Sequence, residues 1–215
     1  MPHADLLGDL VYDGDWRAFD LSYGRIVRVL GHLRGDYLGG PDTVIQSPGN
    51  TQRPRLQPHN PGLAHRVWYG GGSLRSARWA GEHGLNLLSG NIVTGEGTDD
   101  FTTAQLALLS AYRRAFSGDR PPRVALGRVI VPFDSADAST RARYREYAAS
   151  RHARTLAPQG PKRTLFAPDM VGTADQILES WPRIPWSRPS RSCVLSCRTS
   201  STGPTTNRSC TTYGT

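Results

Sequence analysis

Between Arg66 and Gly90 the chain reads RVWYGGGSLRSARWAGEHGLNLLSG. Three consecutive glycines and a serine follow an aromatic, β-prone segment and open a helical one. The first turn of a helix carries amides with no partner inside the helix, and the positive end of the helix dipole. Glycines let the backbone approach an anion closely. Gly71 and Gly72 would give that approach. The hydroxyls of Ser73 and Ser76 would donate to the same anion, and Arg75 would add a charge. These residue types in this order suit a phosphate cradle. The pattern lacks the GxxxxGK(S/T) of a nucleoside-triphosphate loop and the complete GxGxxG of a dinucleotide fold. The same residues also suit a local role, with Ser73 capping the helix and the glycines making the turn.

Other reactive side chains are dispersed. His65, His83 and His152 share no spacing that defines a ligand set. His83, beside Gly84, suits a helix C-terminus, where it complements the dipole. Arg128 stands in an apolar segment, where it either faces a ligand at the sheet edge or serves the structure. Cys193, Cys197 and Cys210 all lie near the C-terminus, with no CxxC and no histidine after them, so a closed four-ligand metal site is not expected.

The elements that must carry the glycine turn follow from periodicity. Apolar residues Phe19, Leu21, Ile26, Val27, Val29, Leu30 and Leu33 recur at mostly three and four, which predicts a helix over 17–34 begun by Asp20. Residues 45–65, rich in Pro, Asn and Gln, carry no period. They read as a long loop, either functional or a plain connection. A short strand over 66–69 is followed by a helix from Leu74 to His83, with Gly84 as its C′ residue. Residues 85–93 predict a buried strand. A helix over 103–116, starting near Thr102 or Thr103, leads to a strand over 123–131 ended by Pro132. A charged helix spans 139–155. In VGTADQILESW, Thr173 and Gln176 have capping-box spacing at the start of a last helix. Strands alternating with helices predict an α/β fold with a parallel sheet, its strand C-termini and their loops gathered on one edge.

Composition sets the outer bounds. The chain has 215 residues, 37% of them hydrophobic, and a formal net charge of +8. No apolar run approaches the roughly 18 residues of a membrane span. The N-terminal stretch lacks the basic and apolar regions of a secretory signal, so a cytoplasmic protein is expected. Lys162 is the only lysine, a bias that GC-rich codons explain. After Glu179 no acid occurs, while Arg183, Arg188, Arg191, Arg198 and Arg208 carry five of the eight formal charges, leaving +3 on the first 180 residues. From Pro182 the chain is Ser, Thr, Arg and Pro without period, which predicts a disordered tail over 182–215 after a domain over 1–181.

The ordered series of segments resembles the bacterial luciferase-like, flavin-dependent monooxygenase family. RVWYGGGSLRSARWAGEHGLNLLSG is similar to the region of that family's fifth strand, with Trp79, Ala80 and Gly84 in matching places. RVALGRVIVPF resembles the next strand, and VGTADQILESW a late helix. The resemblance covers roughly residues 15–181. It implies a TIM-type (β/α)8 barrel, of which this chain carries about the second half. It implies FMN, or the deazaflavin coenzyme, at the C-terminal edge of the strands, with Ser73 and Ser76 meeting the phosphate and Gly71 and Gly72 giving close approach. The flavin would oxidise a small organic substrate. No catalytic side chain can be carried over.

Two departures modify that expectation. The family's first four βα units have no counterpart before residue 15, and three strands cannot close a barrel, so an inactive fragment is expected unless a second copy or a separate half completes it. The family also continues after the last helix with a strand and a helix, where this chain has its basic tail. Back-translating 181–215 with GC-rich codons and reading one base earlier yields a helical piece, an alternating strand and an amphipathic helix, so a tail translated out of frame is the expectation. The alternative class is a non-enzymatic basic protein whose tail arginines contact nucleic acid or acidic partners.

Overall fold

In the computed structural model the described residues are 22–180, with Arg17 and the backbone of Cys193–Ser196. The chain divides into two compact units, Met1–Arg66 and Val67–Thr215.

In the first unit the helix α1 spans Tyr23–Arg34, and Ser22, two residues beyond the expected Asp20, is its N-cap, accepting from Gly24 N. Gly35 closes it in the left-handed conformation at φ 104°, its amide donating to Gly31 O and His32 O. Within the predicted loop lies a short antiparallel hairpin, β1 (Ile45–Ser47) and β2 (Asn50–Gln52), turning at Pro48–Gly49 with Gly49 at φ 77°. All six strand residues are exposed, so no alternation announces them.

The second unit is an α/β layer. Its strands are β3 (Trp68–Gly70), β4 (Asn86–Ser89), β6 (Val124–Pro132) and β8 (Met170–Gly172), in that spatial order and all parallel. Helices α2 (Leu74–Glu82), α3 (Phe101–Ala115), α4 (Ala138–His152) and α5 (Ala174–Ser180) connect or follow them. The parallel sheet expected from alternation is present. The expected strand over 85–93 is instead two: β4 stops at Ser89, and β5 (Ile92–Thr94) leaves the sheet to pair antiparallel with β7 (Thr164–Phe166). Strands β7 and β8 carry three residues each, too few to show a period. Backbone at β9 (Cys193–Ser196) runs parallel along β6, from Leu126 to Val129. The rest of the segment expected to be disordered lies outside the described residues.

Helices α2 and α3 pack against one another through small residues. A Cβ at Gly81 would stand 2.5 Å from the Tyr112 carbonyl oxygen, so only glycine permits this approach. Tyr112 is fully buried and its hydroxyl donates to Leu85 O at 2.8 Å; burial pushes its pKa up to about 12. Leu85, Leu87, Leu108, Leu109 and Ala125 complete this core. Ile130, Met170 and Ile177 form a smaller cluster joining β6, β8 and α5.

Candidate functional site

Parallel strands bring the turns that follow β3, β4, β6 and β8 to one sheet edge, and the glycine turn is among them. Gly71 N continues the ladder by donating to Leu88 O at 3.0 Å, and Gly72 O accepts from Thr94 N at 2.7 Å. Ser73 then leaves the strand in extended conformation and caps α2.

The two serines form a reciprocal capping box. Ser73 Oγ accepts from Ser76 N at 3.2 Å, and Ser76 Oγ accepts from Ser73 N at 3.0 Å. Ser76 Oγ donates to Ser73 O at 2.9 Å, and Ser73 Oγ donates to Ser76 Oγ at 3.0 Å. The Ser76 hydroxyl, nearly buried, is thus fully used. The Ser73 hydroxyl, half-buried, both accepts from Ser76 N and donates to Ser76 Oγ, which leaves one acceptor lone pair, and a ligand would take its proton only in place of Ser76 Oγ.

The glycines divide in the same way. A Cβ at Gly71 would stand 2.9 Å from Leu87 Cδ1 and 3.3 Å from Ser76 Oγ; at Gly72 it would stand 3.3 Å from Ile92 O. Protein atoms fill the space these two leave. At Gly70, exposed at the end of β3, a Cβ would meet nothing within 4 Å. Open space is therefore at Gly70. None of the three has a positive φ, so the turn itself does not demand glycine.

A carboxylate reaches this helix end from elsewhere. Glu96, on the exposed link between β5 and α3, accepts from Leu74 N at 3.3 Å. Its neighbours hold it there, since Thr94 N bonds Gly72 O and Gly95 N bonds Arg163 O at 2.8 Å. Spacing could not have identified Glu96, which lies 22 residues from its partner. Asp134 does the same at the start of α5, accepting from Ala174 N at 2.9 and 3.2 Å.

Of the remaining residues singled out by the sequence, His83 and Arg128 are engaged with protein groups. Arg75 is exposed in the first turn of α2. His83 is the C-cap of α2, its ring stacked on Trp79 at 4.3 Å with Nδ1 2.8 Å from Trp79 O. His152 ends α4, and His65 lies in a single turn of 3-10 helix over Ala64–Arg66. Arg128 is buried between β6 and α3. Its Nη2 donates to Gln105 Oε1 at 2.5 Å, its Nη1 to Gly127 O at 2.9 Å, and it lies over the Phe101 ring. Gln105 Nε2 in turn donates to Ser89 Oγ at 2.9 Å. Among the described residues no group of three or more His, Cys, Asp or Glu could hold a metal ion, and no helix is long and apolar enough to cross a membrane. The three cysteines and the tail arginines fall outside the residues whose side chains are described.

A hollow of about 190 Å³ lies beside the last turns of α4, lined by Ala148, Arg151, His152, Thr155 and Asp169. Here Arg151 Nε donates to the buried Asp169 carboxylate at 2.5 Å, which ties α4 to the link between β7 and β8. Asp169 in turn holds the Arg151 guanidinium more firmly protonated than usual.

No protein-family model matches the chain, and no curated protein is detectably similar to it.

Proposed function

We propose that the chain is the phosphate-binding portion of a flavin-dependent oxidoreductase of the luciferase-like class, built as part of a TIM-type (β/α)8 barrel and acting on a small organic substrate. The observation that carries the reading is the join of β3 to α2. A parallel strand ends in a glycine with open space, a hydroxyl caps the helix, and the leading amide already attracts a carboxylate. Ser73 Oγ and Leu74 N are donors of the kind a phosphate monoester requires, and Gly70 leaves it room; the group fits once Glu96 turns away. Ser76 and Gly71 serve by holding Ser73 and β3 in place rather than by touching the ligand. When bound, FMN or the deazaflavin coenzyme would supply the redox chemistry, and the protein would supply binding and orientation. The alternative, anion contact through the tail arginines, rests on residues 182–215, whose side chains lie outside those described.

Equilibrium titration with FMN and with riboflavin separates a phosphate site from general affinity for the ring. FMN is expected to bind weakly, on the order of 0.1–1 mM, with riboflavin weaker still. Ser73→Ala is expected to reduce the difference between the two ligands about fivefold, about 1 kcal/mol for one hydrogen bond. Equal affinity for both ligands, or a Ser73→Ala variant that keeps the full difference, overturns the reading.

A further inference from the structure

We draw no further inference here: the strongest candidate, the Glu96 carboxylate held at the amide end of α2, belongs to the site already described and rests on a helix N-terminus with no second feature that points to a ligand.

Discussion

The starts of α2 and α5 are built to one plan. Each follows a parallel strand, each has a hydroxyl N-cap reciprocated three residues later, and each has its leading amide bonded by a carboxylate from a distant element. They differ in how tightly they are shut. Both Asp134 oxygens hold Ala174 N, and Gly172, just before the cap, has Gln176 Oε1 only 2.8 Å from where its Cβ would be. Glu96 offers one oxygen at 3.3 Å; Gly72, just before this cap, would place a Cβ 3.3 Å from Ile92 O, and only Gly70, three residues before the cap, opens on empty space. The starts of α3 and α4 extend the comparison, because their N-caps are themselves carboxylates. Asp100 accepts from Thr103 N at 2.7 Å, and Asp137 accepts from Thr140 N at 2.8 Å. All four described helices of this unit therefore begin against one carboxylate, from the cap where the cap is aspartate and from elsewhere where it is a hydroxyl. That arrangement balances the helix dipoles. A ligand phosphate at α2 would exchange one anion for another at the helix start most weakly closed.

The glycines at the start of α2 carry the largest expected effect. Gly71→Val is expected to destabilise the fold by about 1–3 kcal/mol, since its side chain overpacks against Leu87 and Ser76. Gly70→Ala should leave the stability read from urea unfolding within about 0.5 kcal/mol of the parent. If the two substitutions cost the same, the assignment of open space to Gly70 is wrong. Next come the imported carboxylates. Asp134→Ala is expected to cost about 1 kcal/mol of stability and Glu96→Ala less than about 0.5 kcal/mol. Only Glu96→Ala should tighten FMN binding, by a fewfold. Equal losses, with no change in FMN affinity, would make the two helix starts equivalent and leave α2 with no claim to a ligand.

The smallest effect lies in acid. Hydrogen bonds from Thr103 hold the Asp100 carboxyl below its usual range, and those from Thr140 do so for Asp137. A carboxyl depressed in the fold contributes stability that is present above its unfolded value, near 3.8, and lost as pH falls through its folded value. Urea midpoints should therefore fall below about pH 4, and Asp100→Asn should flatten that decline. A variant with the parent's acid limb would show that the Asp100 cap carries no net electrostatic gain.

How far these features were legible in the sequence follows from how local they are. The Thr173–Gln176 box and the glycine stop at Gly84 are set within one turn of chain, and both stand as read. Alternating strand and helix segments gave the parallel α/β layer. The cap of α3 is Asp100 rather than the expected Thr102 or Thr103, because Asp99, Asp100, Thr102 and Thr103 all suit an N-cap and the packing of Phe101 into the core decides among them. The break of 85–93 into two strands depends on β7, more than 70 residues away, which draws Ile92–Thr94 out of the sheet. Glu96 and Asp134 act across 22 and 40 residues, beyond any spacing rule. At the candidate site the sequence located the turn and its serines, but it did not distinguish a glycine that packs from one that leaves room.

The chain joining Arg128, Gln105 and Ser89 also checks how the layer is assembled. Ser89 is paired with Leu126, so Arg128, two residues on, shares its face, and Gln105 on α3 bonds both at once. A slip of β6 by one residue would carry the guanidinium to the opposite face and break the chain at its first bond. Apolar neighbours such as Val129, Ile130 and Val131 would tolerate that slip, since each is hydrophobic on either face. The buried polar chain therefore acts as an alignment mark, coupling the order of β4 and β6 to the docking of α3 and penalising the misfolded registers that hydrophobicity alone would accept.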